Sequence, residues 1–313
     1  MNIYNMFDTL NTDLDHTKFD FKHIQEIFND KLEFDGRHHY KNGSSTTYYY
    51  KNYSFTLTDK KLSARGSLSK FYYGNNVQNL NFNQVQQTLA EFESLFEIPF
   101  DDAKVKRIDM AYNMVVDRPI NQYFDLMTTP ENYKLRYFED ETKYFESAKN
   151  KICFYDKVEQ LRKKDRDNYL NYKNSNVLKY EVSLTKNIAK NLGLYEFTFK
   201  DLYNPEVYQL LLNIWHQSYF KIPKLTRMLP SQLKGTSLTA LKDSMVAQYI
   251  NLTGGLEIVN MAVEQILIKK NVKFLAKKYL KGFTDIEPLS PILQHELDSK
   301  IDLIYNSELL LLK

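Results

Sequence analysis

Three short segments alternate so regularly between apolar and charged residues that they read as strands of a sheet covered on one side. In "RIDMAYN" (107–113) Arg107, Asp109 and Asn113 share one face, while Ile108, Met110 and Tyr112 share the other. In "KICFYDK" (151–157) Cys153, Tyr155 and Lys157 fall opposite Ile152 and Phe154. In "KYEVSL" (179–184) Lys179, Glu181 and Ser183 fall opposite Tyr180, Val182 and Leu184. Successive side chains on a strand point to opposite faces, so each segment has one face for a core and one for chemistry. If the three pair side by side, Asp109, Glu181, Tyr155 and Lys157 meet on one surface.

The remaining punctuation divides the chain into a β-rich front and a helical rear. "DFKHIQEIFN" (20–29) predicts a short helix, and the segment from Tyr40 to Tyr73 predicts a hairpin or meander with turns at "KNGSS" and "TDKK". "NFNQVQQTLAEFESLFEIPF" (81–100) predicts an amphipathic helix capped by Asn83, with Val85, Leu89, Phe92, Leu95 and Phe96 on its apolar side. "ETKYFES" and "KICFYDK", joined by "AKN", suit a hairpin. From Thr185 onward the pattern is helical, and Asn204-Pro205 and Ser290-Pro291 each set a capping residue before a proline at the first helical position. The fold class this predicts is α+β, an antiparallel sheet flanked by helices and followed by an all-helical C-terminal region. The expected domains are residues 1–195 and 196–313.

Composition narrows the chemistry. A single cysteine, Cys153, excludes a disulfide framework and a Cys-rich zinc site, and reads as a small buried hydrophobe. The formal net charge of +3 leans basic without declaring a polyanionic partner. The 24 Tyr and 20 Phe suit stacking on single-stranded nucleic acid, and they equally suit the codon bias of an AT-rich genome. Neither a signal-like N-terminus nor an apolar run of membrane-spanning length is present, which predicts a soluble cytoplasmic protein.

Two carboxylates on one sheet face are what a hard cation such as Mg²⁺ or Mn²⁺ takes, since it keeps waters or phosphate oxygens in its other positions. A tyrosine beside such a cation has a specific use. Its phenol, with a reference pKa near 10, is a better leaving group than a sugar alkoxide, so a phosphotyrosyl ester keeps the phosphodiester energy for religation. The Lys157 ammonium, two residues along the same strand, would lower the phenol pKa or neutralise charge on the phosphate. From spacing alone the alternatives stay open: Arg107 and Asp109 also make a solvated strand face, and a strand tyrosine also serves as packing.

Four segments in order, "SARGSLSKFYYGNN" (63–76), "RIDMAYN", "KICFYDKVEQL" (151–161) and "LKYEVSL" (178–184), resemble the rolling-circle replication initiators of the phage and plasmid gene II/X family. More distantly they are similar to the staphylococcal-type plasmid initiators and related relaxases. The resemblance covers roughly residues 60–190. It implies the palm-like antiparallel sheet of the HUH endonucleases, with Tyr155 as nicking nucleophile, Asp109 and Glu181 as ligands of Mg²⁺ or Mn²⁺, and Lys157 assisting at the phosphate. It also implies that Arg65, Ser67 and Lys70 lie near the DNA backbone together with Arg107, and that Gly74 permits a turn. This chain lacks the paired histidines, separated by one hydrophobic residue, of the wider superfamily. The adjacent His38 and His39 would point to opposite faces of a strand, and a solvated loop is the plainer reading.

The activity so implied is a site-specific nick at a plasmid or phage origin, which leaves a 5′ phosphate on Tyr155 and a 3′ hydroxyl that primes host polymerase, with other host replication proteins such as a helicase as further partners. Closure needs a second transfer, for which Tyr144, Tyr169 and Tyr172 are near in sequence. Origin reading is expected from the helical rear, where Lys273 and Lys277 lie in a lysine-rich helix that could follow a DNA backbone. The other readings are a non-catalytic origin or operator-binding protein and a mobilisation relaxase using the same chemistry.

Overall fold

The computed structural model describes residues 7–227, apart from 41, 42, 76, 79, 81, 99 and 140, together with 246, 287, 288 and 290–312. Lys273 and Lys277 therefore lie outside the described residues, as does most of the lysine-rich segment around them.

A long first strand, β1 (Phe7–Asp15), leads into helix α1 (Phe21–Lys31), which starts where the Asp20 side chain accepts from the Lys22 and His23 amides. A meander follows, β2 (Glu33–Tyr40), β3 (Gly43–Tyr50), β4 (Tyr53–Thr58) and β5 (Lys61–Ser67), and it returns to lie beside β1. Two helices close this half. In α2 (Leu68–Tyr73) the Ser67 hydroxyl accepts from the Lys70 amide at one end, and Gly74 ends it at φ 74°, a left-handed conformation that glycine adopts without penalty. In α3 (Phe82–Phe96) the helix begins one residue ahead of Asn83, the expected cap.

The second half repeats this plan. A long strand, β6 (Lys104–Val116), leads into a helix, α4 (Ile120–Asp125), and then into a meander of β7 (Lys134–Glu139), β8 (Thr142–Glu146), β9 (Asn150–Asp156) and β10 (Asn176–Leu184), which returns to lie beside β6. Helices α5 (Lys157–Lys164) and α6 (Arg166–Tyr172) are inserted between β9 and β10, and α7 (Ile188–Leu192) follows. The two long strands pair antiparallel at the centre, giving one ten-stranded sheet in the order β2-β3-β4-β5-β1-β6-β10-β9-β8-β7 with every pairing antiparallel. The α+β class read from the sequence is the one observed.

One face of the sheet is apolar and is covered by helices. Phe28 of α1 packs edge-on against Tyr48 at 5.3 Å between ring centroids and also against Phe55. In the second half this role falls to α8 (Pro205–Phe220), begun as expected by Asn204, whose side chain accepts from the Glu206 amide at 2.9 Å. Trp215 of α8 sits 4.9 Å from the ring of Tyr112 and 5.0 Å from that of Tyr180, and its carbonyl accepts the Tyr180 hydroxyl. A final helix, α9 (Pro291–Leu311), begins at Ser290 without a side-chain cap bond and sends Leu297 and Ile301 into the same core. Helices α8 and α9 thus share one hydrophobic core with the sheet.

Polar groups fix these helices in place. Buried Lys143 of β8 donates to the carbonyls of Phe124 and Met127, satisfying the end of α4 that lacks intrahelical donors. Four side chains of the core and of α8 bond to acids along α9: Tyr123 to Glu296, Tyr219 to Asp298, His216 to Asp302 and Tyr208 to Glu308. Among the described residues no helix is long and apolar enough to cross a membrane.

Candidate active site

The polar face of the sheet carries the site, with α5 packed beside it on β9 and β10, and strand register decides which residues meet there. Ser183 lies opposite Asp109, Glu181 opposite Ala111, and Lys179 opposite Asn113 across the β6–β10 ladder. On the other side of β10, Cys153 lies opposite Glu181 and Tyr155 opposite Lys179. Asp109, Glu181 and Tyr155 therefore do share one face, as their alternation predicted. An open cleft of about 490 Å³ is lined by these three and by Arg107, Arg65, Ser67 and Lys70, so residues quoted from separated segments come together.

Of the two acids, Asp109 is held by a cation. Arg107 clamps Asp109 with two bonds, Nε to Oδ1 at 2.8 Å and Nη2 to Oδ2 at 2.6 Å, and Asp109 is only 2% exposed. Such a two-pronged pairing fixes the carboxylate plane as well as its charge. Glu181 has no ion-pair partner at salt-bridge distance among the described residues, and accepts a bond from Ser183 Oγ at 3.3 Å. Burial pushes its carboxyl up to about 7; Lys179 and Arg107 pull against this, and the negative charges of Asp109 and Asp8 add to it.

Asp8 and Lys179 are site residues that no motif in the sequence marks. Between Phe7, opposite Met110, and Leu10, opposite Ile108, the β1–β6 register slips by one, so Asp8 and Thr9 together face Asp109. This is a β-bulge, a device that re-aims side chains and is frequent beside functional sites. It turns Asp8 into the cleft, where the Ser67 hydroxyl donates to Oδ1 at 2.8 Å and the buried Lys179 ammonium donates to Oδ2. Burial works to neutralise both partners, yet each charge holds the other: Asp8 stays below the usual carboxylate range and Lys179 well above the usual ammonium value. The visible sequence signal was the spacing of Phe7 and Leu10, two apolar residues three apart in a strand, which an unbroken alternation does not allow.

Lys157 requires a correction. It is not on the strand two residues beyond Tyr155; the strand ends at Asp156, whose side chain accepts from the Val158 and Glu159 amides at 2.8 and 3.0 Å and starts α5. As first residue of that helix Lys157 is fully buried and bonds the Gln160 side chain at 2.7 Å. Burial, reinforced by the charge of Lys179, pushes its ammonium down to about 7. The cation next to the tyrosine is instead Lys179, whose ammonium lies 5.7 Å from the Tyr155 ring centroid. Burial drives the Tyr155 phenol up and Lys179 opposes that rise, while Glu181 and Asp8 add to it.

The other tyrosines proposed for a second transfer stand elsewhere. Tyr144, Tyr169 and Tyr172 do not line the cleft, and the Tyr144 ring carries the Lys151 ammonium at 3.9 Å. His38 and His39 sit on the edge strand β2, paired with Ser45 and Ser44, rather than in a loop, and both are exposed away from the cleft. Cys153 is buried, as expected.

A broad antiparallel sheet thus gathers acids, cations and a tyrosine around one open cleft on its polar face. The family model that describes the N-terminal part of a phage replication-associated protein, the gene II protein, matches residues 6–206, well over half of the chain, and the chain belongs to that family. It is a rolling-circle replication initiator of the phage and plasmid type, and DNA is its partner. No curated protein matches the chain.

Proposed function

We propose that the protein opens one strand of its origin by attack of the Tyr155 hydroxyl on a phosphodiester lying in the cleft. The Tyr155 oxygen forms a bond to phosphorus as the bond from phosphorus to the 3′ oxygen breaks. The 5′ phosphate stays on the tyrosine, and the departing 3′ oxygen gains a proton to become the priming hydroxyl. One observation carries this reading. The Tyr155 side chain lines the cleft on the strand next to that of Glu181, with Asp109 one strand further, and its hydroxyl has no hydrogen bond among the described residues.

Lys179 supports ionisation of the phenol, because a positive charge beside an acid favours its anion. The phenol proton passes to solvent in the open cleft; Lys157 is buried on Gln160 and does not line the cleft. The donor chemistry fits a divalent cation such as Mg²⁺ or Mn²⁺. Glu181 lacks a paired cation among the described residues, and Asp109, though clamped by Arg107, keeps further lone pairs on its oxygens. Among the described residues no group of three or more metal-ligating side chains occurs, so Asp109 and Glu181 would hold the ion with water and phosphate oxygens completing its shell. Bound there, it would polarise the phosphate and stabilise the departing oxygen.

The test incubates the full chain with supercoiled DNA carrying its origin and Mn²⁺ or Mg²⁺, and follows open circles and protein attached to a 5′ end. Tyr155→Phe keeps the ring and its packing, so it is expected to bind DNA normally and yield no covalent product. A variant that still forms the adduct would remove Tyr155 from the role.

A further inference from the structure

The cleft has a second wall, built by the first half of the chain, of which the cleavage proposed above uses only Asp8. A single rank of paired residues crosses that half: Tyr49 of β3 lies opposite Ser54 of β4, Ser54 opposite Arg65 of β5, Arg65 opposite Asn11 of β1, and Asn11 opposite Arg107 of β6. Directly paired residues project from the same face, so this rank points to the polar side. At about 4.8 Å per strand, its four steps extend roughly 19 Å from the Arg107–Asp109 clamp, enough for several nucleotides of an extended strand.

The chemistry along the rank is that of a single-strand track. Arg65 and Lys70 are exposed, line the cleft and have no acidic partner among the described residues. Several other cations of this half are matched: Lys61 with Asp13, Lys51 with Glu91, Lys31 with Glu97. At the far end stands Tyr49. Its neighbour Tyr48 is buried and bonds Asn29, but Tyr49 is 40% exposed, lines the cleft and has no hydrogen bond from its hydroxyl among the described residues. An exposed ring at the end of a path of unpaired cations offers a flat face to a base.

Resting on the nicking function proposed above, we infer that the first half of the sheet holds the single strand flanking the cut, with Arg65 and Lys70 on its phosphates and Tyr49 stacked on one of its bases. Stacking needs the ring and not the hydroxyl, and it needs an oligonucleotide long enough to reach β3.

The test measures anisotropy of labelled oligothymidylates, from roughly four to sixteen nucleotides, on the full chain carrying Tyr155→Phe, with chelator present so that binding is read apart from cutting. Tyr49→Ala is expected to weaken binding of the longer oligonucleotides about tenfold, the worth of one lost stack, and to leave the shortest unaffected. Tyr49→Phe is expected to bind like the parent. Arg65→Gln is expected to lower the salt dependence by about one phosphate contact, which Tyr49→Ala leaves unchanged. Equal affinities for Tyr49→Ala and the parent, or a Tyr49→Phe as weak as Tyr49→Ala, would overturn the inference while leaving the nicking chemistry standing. A parent protein that binds none of these strands would overturn the inference, and the open-circle assay on origin DNA would still decide the nicking chemistry by itself.

Discussion

At the scale of single residues, the pair formed by Asp8 and Lys179 organises the site. Lys179 is fully buried, faces Tyr155 across the β9–β10 ladder and is held charged by Asp8. Removing one member of a buried pair leaves the other charge uncompensated, at a cost of about 3–5 kcal/mol. Lys179→Met is therefore expected to destabilise the fold strongly in denaturant titrations and to suppress nicking. Adding Asp8→Asn to Lys179→Met should restore most of the stability and none of the rate, with the remaining activity moved to higher pH because the phenol loses its cation. If the double variant nicks at the parental rate, Lys179 has only a structural role. The sequence displayed Lys179 on the correct face beside Glu181, but no local pattern marks which of two nearby lysines a tyrosine will meet. That was decided by Asp156, whose helix-capping bonds take Lys157 off the strand.

At the scale of elements, the strands that alternate were legible and the irregular ones were not. The segments 107–113, 151–156 and 179–184 revealed their faces, because one side of each is apolar or aromatic, while their pairing was a condition that the β6–β10 and β10–β9 ladders met. β1 stayed hidden since its bulge interrupts the period of two at the residue that matters, Asp8. Tyr49 stayed hidden among the tyrosines of "TTYYYKNYSF", which only pairing sorts into buried Tyr48 and Tyr53 and exposed Tyr49. β5 carries a tighter constraint. Gly66 lies against Tyr53, and a Cβ there would come within 2.4 Å of the ring. Gly66→Ala is expected to cost about 1–3 kcal/mol through overpacking and to disturb the wall carrying Arg65 and Ser67. Thermal unfolding should show the loss, and a melting temperature equal to the parent's would mean that the Tyr53 ring yields freely.

At the scale of the whole molecule, the last helix is tied to the core through a group that titrates near neutrality. Glu308 of α9 is buried, accepts the Tyr208 hydroxyl at 2.5 Å and lies beside Tyr112. Burial pushes its carboxyl up to about 7, from 4.5. The folded state thus holds this proton more tightly than the unfolded chain does. Its contribution to stability is complete below pH 4.5 and is lost as pH rises through 7. The difference is roughly 3 kcal/mol. Glu308→Gln, which keeps a neutral hydrogen-bonding group, should flatten the decline in stability across this window in melts taken at stepped pH. An unchanged slope would place the proton elsewhere.

The repetition of strand, helix and meander in the two halves has a consequence for how the activity can fail. Tyr155, Asp109 and Glu181 come from one half; Asp8, Arg65, Lys70 and Tyr49 come from the other. The join between β1 and β6 is at once the centre of the sheet and the floor of the cleft. Slippage at that join would misalign the grip from the blade while the strand pairing within each half stayed intact. Impairment of this kind would silence replication in a molecule that still looks native to every probe of secondary structure.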